Sequence, residues 1–130
     1  MTGKGANLGP GAVLRSLAGG TFSRVVFVCA ASAAFIGAVI DPGQSPVAAV
    51  NDKAQHVCAF AVLGLFSCFA FPPRDLWQFH LPFLAGYGLL IESVQWWLPW
   101  REFSLLDLAA DIAGIVLILV AVPLLSRRLP

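Results

Sequence analysis

Hydrophobic residues fall into four long runs, separated by short polar or proline-rich segments. The runs cover about residues 25–40, 54–71, 79–98 and 105–125. A helix that crosses the hydrocarbon core of a bilayer needs about 20 mainly apolar residues, and about 17 to 25 are tolerated. The pattern therefore predicts four membrane-spanning helices, and Pro42, Pro72 and Pro99 mark the ends of the first three.

Composition agrees with this interpretation. Of the 130 residues, 58% are hydrophobic and 12% are charged, whereas a soluble domain usually carries about 25% charged residues. The net charge of +1 gives no basic face for nucleic acid. Cys29, Cys58 and Cys68 lie inside apolar runs without a CxxC pair, which argues against a disulfide framework or a zinc site. We therefore predict an all-α membrane protein that binds no nucleic acid, metal or cofactor.

The order of the runs predicts one membrane domain over residues 24–126, preceded by a flexible, Gly-rich leader over residues 1–23. Six basic residues fall on the side of the termini, and only Lys53 and Arg101 fall on the opposite side. By the positive-inside rule, this asymmetry predicts a four-transmembrane-helix bundle with both termini in the cytoplasm. A signal peptide is the alternative for the leader and first run, and its cleavage would leave three spans.

Two further patterns concern the surfaces of the predicted helices. Tryptophans at positions 96, 97 and 100 predict an aromatic belt at the outer interface, and Trp77 marks the inner one. Small residues four positions apart share a helix face and allow close helix packing. The pairs are Ala30/Ala34, Ala33/Gly37 and Ala110/Gly114.

Charged and amide side chains enter three of the four runs near the outer side. They are Asp52, Lys53 and His56 where the second helix enters, Glu92 and Gln95 in the third run, Asp107 and Asp111 in the fourth, and Arg101 in the last loop. Residues three or four positions apart lie on one helix face. An ionised carboxylate that faces lipid at mid-span costs about 2.5 kcal/mol or more. We therefore expect these side chains to face the protein interior or a wet cavity, in one polar layer near the outer leaflet.

Structural roles are the alternative for these residues. Asp52 can cap the second helix, Lys53 can extend to the interface, and Asp107 can favour the dipole of the fourth helix. Capping does not require a carboxylate two turns inside a span. For Glu92 and Asp111, the structural alternative is therefore a hydrogen-bonded clamp between helices.

The same polar positions resemble the VanZ-like family of small bacterial membrane proteins. The matching residues are Asp52-Lys53 with His56 and Phe60, Tyr87-Gly88, Glu92 with Gln95, Pro99, Arg101, and Asp107 with Asp111 and Gly114. Asp111 stands where the family pattern usually has Asn. The resemblance implies a multi-pass protein of the bacterial cytoplasmic membrane with a role at the cell envelope. The family is named for a member that lowers susceptibility to teicoplanin, so an effect on glycopeptide susceptibility is also implied.

We expect the outer polar site to bind the headgroup of an envelope phospholipid or lipid-linked glycan. Its carboxylates and amide suit hydroxyl groups, and Lys53 and Arg101 suit phosphate. One alternative is an intramembrane enzyme that uses Glu92 or Asp111 as acid and base, assisted by His56. Another is a proton- or ion-coupled transporter, although polar groups confined to the outer half leave no relay to the cytoplasm. Membrane lipids are the expected partners, and a homodimer would complete the small interior.

Overall fold

The structure, a computed structural model, describes residues 20–44, 51–72 and 75–126. Every regular element in these ranges is helical. The α-helices are α1 (Thr21–Val39), α2 (Asp52–Ala70), α3 (Leu81–Gln95) and α4 (Leu105–Ser126). A 3₁₀ turn (Pro42–Gln44) follows α1, and a π-helical turn (Leu76–His80) leads directly into α3.

Most of the predicted leader lies outside the described residues. The same is true of most of the basic residues on which the predicted charge asymmetry depends. Residues 1–19 lie outside the described ranges, whereas residues 21–23 already belong to α1. The basic residues that also lie outside are Lys4, Arg15, Arg74, Arg127 and Arg128. The predicted orientation therefore stays a prediction.

Three of the helices are long and apolar enough to cross a membrane. They are α1, α2 and the part of α4 from Leu105 to Leu125. Large hydrophobic side chains such as Val28, Ile36 and Leu117 are exposed on them, as expected for surfaces that face lipid. The chain is therefore a membrane-embedded protein, and the regular structure of its described ranges is all helical. The shorter α3 has 15 residues and is extended by the 5 residues of the π-helical turn.

The helices begin and end close to the predicted positions, and the differences have local causes. α1 begins at Thr21 rather than at residue 25. α2 begins at Asp52 rather than at residue 54, because the Asn51 side chain accepts a hydrogen bond from Ala54 N at 3.4 Å and caps the helix. Asp52 and Lys53 therefore belong to the first turn of α2. α4 agrees with the predicted range of 105–125 to within one residue.

The third helix differs most from its predicted range of 79–98. It ends at Gln95, and the chain then forms a tight turn in which Leu98 N donates to Gln95 O at 3.0 Å. Leu98 precedes Pro99, and the residue before a proline disfavours the α-helical conformation. At the other end, Asp75 Oδ1 accepts hydrogen bonds from two backbone N–H groups of the π-helical turn, which fixes its start.

The helices surround one apolar core. α2 packs most extensively on α4, α1 packs on α2 and α3, and α3 packs on α4. Gly64 and Gly114 lie at the contact between α2 and α4, where a side chain at Gly114 would meet the backbone of α2 at Val57. The largest core side chains are Phe60, Leu63, Leu84, Ile91, Ile115 and Leu119. This packing brings the start of α2, the end of α3 and the start of α4 to the same end of the molecule.

Candidate functional site

The predicted polar residues lie at that shared end of the helices. Five of them are buried: His56, Glu92, Gln95, Asp107 and Asp111. The structure links the eight predicted residues by three ion pairs or hydrogen bonds among themselves and by further bonds to backbone groups. We call this group the polar cluster; its members are Asp52, Lys53, His56, Glu92, Gln95, Arg101, Asp107 and Asp111.

His56 and Asp111 form the innermost pair of the polar cluster. His56 Nδ1 lies 2.8 Å from Asp111 Oδ1, and Asp111 is fully buried. Asp111 fits there because Gly88 has no side chain: a Cβ at Gly88 would lie 2.6 Å from Asp111 Oδ2. A carboxylate accepts from Nδ1–H, which fixes the orientation of the ring and leaves Nε2 as its second functional atom.

Two ion pairs form the rim of the polar cluster. Lys53 Nζ lies 3.1 Å from Asp107 Oδ1, and Arg101 Nη1 lies 3.2 Å from Asp52 Oδ1. Lys53 is about half exposed, whereas Arg101 is largely buried and its Nε has no hydrogen-bond partner. Because Asn51 caps α2, Asp52 is free of the capping role and pairs with Arg101 instead.

Glu92 and Gln95 connect α3 to its neighbours. Glu92 Oε2 accepts a hydrogen bond from Ser104 N at 2.8 Å, just before α4 begins. Glu92 Oε1 is buried and has no partner. Gln95 Nε2 donates to Ala38 O of α1 at 3.0 Å. Gln95 therefore has a packing role, and Glu92 combines an interhelical bond with one unpaired carboxylate oxygen.

An open cleft of about 330 Å³ lies between α1, α2 and α3 beside the polar cluster. Its polar end contains Asp52, Gln55, His56 and Arg101. The rest of its lining is small or apolar: Ala34, Gly37, Ala38, Ala54, Cys58, Ala59, Phe60 and Ile91. Three of the eight predicted residues therefore line the cleft, and the other five lie behind or beside it. Sequence reasoning missed Gln55, although its position three residues after Asp52 on α2 places it on the same face.

A second buried polar pair lies at the opposite end of the helices. Ser67 Oγ donates to Gly64 O at 2.8 Å and lies 3.0 Å from His80 Nδ1. The Ser67 proton is thereby used, so His80 Nδ1–H is the donor to Ser67 Oγ. The expectation that polar groups are confined to one half is therefore wrong.

Apolar side chains separate this pair from the polar cluster. His56 and Ser67 lie on the same helix, about 16 Å apart at 1.5 Å per residue. Phe60, Leu63 and Leu84, all fully buried, lie in the core of the same helices. Among the described residues, no continuous chain of hydrogen-bonding side chains joins the two polar pairs.

The Ser67–His80 hydrogen bond predicts that Ser67 contributes more to the free energy of unfolding than Ser93 does. We expect Ser67→Ala to lower the free energy of unfolding by about 1–2 kcal/mol, because it leaves the buried Nδ1–H of His80 without an acceptor. Ser93→Ala is the matched control, since Ser93 is exposed and bonds only to Leu89 O within its own helix. Thermal and SDS-induced unfolding in mild detergent would measure both variants. Equal stability of the two variants would contradict the assigned hydrogen bond.

Comparison with known proteins does not assign this chain to a family. No family model, no curated protein and no solved structure matches the chain. The resemblance to the VanZ-like family therefore stays a prediction from the motif residues. The chemistry of the site follows from its own parts: an apolar cleft, a buried guanidinium and a histidine held by a carboxylate.

Proposed function

We propose that this chain is a four-span protein of the bacterial cytoplasmic membrane, with both termini in the cytoplasm, that binds a membrane amphiphile. The ligand is a phospholipid or lipid-linked glycan whose headgroup lies at the polar end of the cleft. The observation that carries this proposal is the division of the cleft into an apolar wall and a charged end. Such a division matches the two parts of a lipid.

The apolar wall suits an acyl or isoprenoid chain. It consists mainly of small residues of α1 and α2, which leave a groove open between the helices. Gly37, Ala54 and Cys58 line the groove and are exposed, so a chain could enter sideways from the bilayer. Burial of apolar surface alone would not select such a ligand in a membrane, because lipid already surrounds the protein. Selectivity is therefore expected from the headgroup.

Arg101 is the residue that we expect to recognise the headgroup. It lines the cleft, is largely buried and has an Nε–H without a partner. A buried unsatisfied donor costs about 1–3 kcal/mol, and more if the group is charged. A phosphate oxygen would satisfy this donor with a charge-assisted hydrogen bond. Asp52 and Gln55 lie at the same end of the cleft and suit hydroxyl groups of a sugar or glycerol.

The four-span topology is supported by two features besides the charge asymmetry. The continuous helical segment from Leu76 to Gln95 has 20 residues, enough to span with the usual tilt. Trp96 and Trp97 are among the most exposed side chains, and they lie beside the polar cluster, as expected at a membrane interface. The VanZ-like resemblance adds cell-envelope lipids as the ligand class. Sequestration of a cell-wall precursor lipid would alter susceptibility to glycopeptides.

The His56–Asp111 pair favours a second candidate, an intramembrane enzyme that acts on the same lipid. His56 lines the cleft and Asp111 does not, so His56 would be the acid–base group and Asp111 would orient it. This differs from the sequence hypothesis, in which a carboxylate performs the proton transfer. An enzyme would convert the bound lipid, whereas a binding protein would retain it unchanged.

Native mass spectrometry of protein extracted mildly from its own membranes would test the proposal. We expect the wild type to retain a phosphate-containing lipid, and Gly37→Leu and Arg101→Gln to lose at least about nine-tenths of it, since one fills the groove and the other removes the charge. Gly86→Leu is the matched control, because a Cβ at Gly86, as at Gly37, meets nothing within 4 Å, and Gly86 does not line the cleft.

The outcomes separate the two candidates. Equal lipid patterns in all four folded proteins would contradict the amphiphile proposal. Retention of the lipid at unchanged mass supports a binding protein. Time-dependent conversion of that lipid, lost in His56→Gln, supports the enzyme.

A further inference from the structure

Three side chains of the types that bind metal ions, those of Asp52, His56 and Asp107, lie close together in the polar cluster. Asp52 and His56 share a face of α2, and Asp107 approaches them from the first turn of α4. One ligand atom of each residue lies within 4.8 Å of the other two. Ligands that share one ion at about 2.0–2.2 Å lie roughly 3–3.5 Å apart. Small side-chain rotations would therefore bring all three onto one ion.

The polar cluster carries an excess of negative charge. Its charged side chains are four carboxylates and two cations, namely Asp52, Glu92, Asp107, Asp111, Lys53 and Arg101. With a neutral histidine the formal charge is −2. A single divalent cation would balance this charge in a region where buried carboxylates are costly.

Two buried carboxylate oxygens without a hydrogen-bond partner give a second, independent reason to expect a bound ion. Glu92 and Asp111 are fully buried, and Glu92 Oε1 and Asp111 Oδ2 have no hydrogen-bond partner. Glu92 lies within electrostatic range of His56, Asp107 and Asp111. Native proteins leave few buried polar atoms unsatisfied, and a bound water or ion is one explanation for such an atom. The two unpaired oxygens therefore add buried negative charge within electrostatic range of His56 and Asp107.

The bond from Asp111 prepares His56 for metal binding. Histidines that bind metals usually donate their other ring N–H to a carboxylate, which fixes the tautomer and raises the basicity of the ligating nitrogen. His56 Nδ1 makes this bond to Asp111 Oδ1 at 2.8 Å, so Nε2 is the atom available for an ion. Asp111 is a positioning residue in this arrangement.

We propose that Asp52, His56 and Asp107 bind a divalent transition-metal ion, such as Mn²⁺ or Zn²⁺. One imidazole with two carboxylates is a donor set that suits these ions. Lys53 is about half exposed, so its ammonium group can turn to water and release Asp107. The sequence offers His56 with nearby carboxylates but no second strong ligand at a suitable spacing, so it does not favour a metal site; Asp107 joins the set only through the packing of α4 on α2. The proposal does not rest on the bound amphiphile.

Titration of the purified, EDTA-treated full chain with Mn²⁺, followed by electron paramagnetic resonance, would test the site. We expect about one Mn²⁺ per chain, displaced by Zn²⁺. Asp107→Asn and His56→Gln should weaken binding at least tenfold, and Asp111→Asn should weaken it about tenfold because the charged oxygen that holds His56 is lost. Asp52→Asn should also weaken Mn²⁺ binding, and this variant is expected to fold because Asp52 is half exposed.

Two controls make the outcome specific. Asp75→Asn removes a carboxylate from the opposite end of the molecule and should leave Mn²⁺ affinity unchanged. Gly37→Leu fills the cleft but retains every ligand, so it should bind Mn²⁺ like the wild type even where it loses the lipid. Absence of stoichiometric Mn²⁺ binding, or equal weakening in Asp75→Asn, would overturn the metal site. Lipid retention would then still stand or fail on its own measurement.

Discussion

Gly114→Ala is expected to be the most destabilising glycine-to-alanine substitution among the glycines that the structure describes. Gly114 is buried on α4, and a Cβ there would overlap Val57 O and lie 3.0 Å from Ala61 N, both in the backbone of α2. Neither atom can rotate away as the end of a side chain would. The two helices must therefore separate along their most extensive contact. We expect a loss of about 3 kcal/mol in the free energy of unfolding, measured by SDS titration in mixed micelles.

The matched control is Gly86→Ala on α3. A Cβ at Gly86 meets nothing within 4 Å, and alanine is the better helix former by about 1 kcal/mol. Gly86→Ala should therefore be neutral or slightly stabilising. Gly114→Leu should prevent recovery of a monodisperse protein. Equal unfolding curves for Gly114→Ala and Gly86→Ala would mean that α2 and α4 are not in backbone contact.

The glycine positions also show what spacing can and cannot predict. The Ala110/Gly114 spacing predicts a close helix contact, and the structure confirms one at Gly114. The Ala33/Gly37 spacing is equivalent, yet a Cβ at Gly37 meets nothing and the residue lines the cleft. Spacing places small residues on one face of a helix, but only the packing of the other helices decides whether that face is a contact or an opening.

The polar cluster was predictable because membrane burial penalises isolated charges. A carboxylate inside an apolar run must face the interior, so Glu92 and Asp111 were expected to be buried, and both are. Their partners were not predictable. Asp111 contacts His56 from 55 positions away, and Glu92 contacts a backbone N–H of the loop before α4. Such pairings depend on the relative height and rotation of helices, which a one-dimensional pattern does not contain.

Sequence reasoning missed the features that are built from isolated polar residues or from small apolar residues. Ser67 and His80 stand alone in apolar runs, 13 positions apart, and meet only because the π-helical turn packs against α2. The α1 wall of the cleft consists of Ala34, Gly37 and Ala38, and residues of this kind carry no chemical pattern. The division between polar end and apolar wall becomes visible only when three helices are placed together.

Asp111→Ala is expected to destabilise the protein and to disable the site together. It leaves the buried His56 Nδ1–H without an acceptor and opens a space beside Gly88 and Phe60. Removal of one partner from a buried pair typically costs about 3–5 kcal/mol. Asp111→Asn should cost much less, because its amide oxygen can still accept from Nδ1–H. SDS titration of the three proteins would give this order of stability.

A double-mutant cycle with Gly88 separates the fit of Asp111 from its charge. Gly88→Ala places a Cβ 2.6 Å from Asp111 Oδ2, so it should be destabilising in the wild type. In the Asp111→Ala background that clash is absent, and the new methyl group occupies part of the vacated space. Contacting residues commonly show coupling free energies of about 0.5–3 kcal/mol, and we expect a value in this range. Its sign should make the double variant more stable than the sum of the two single losses predicts. Strict additivity would mean that Asp111 does not lie against Gly88. The orientation of His56, which the enzyme candidate and the metal site both use, would then lose its support.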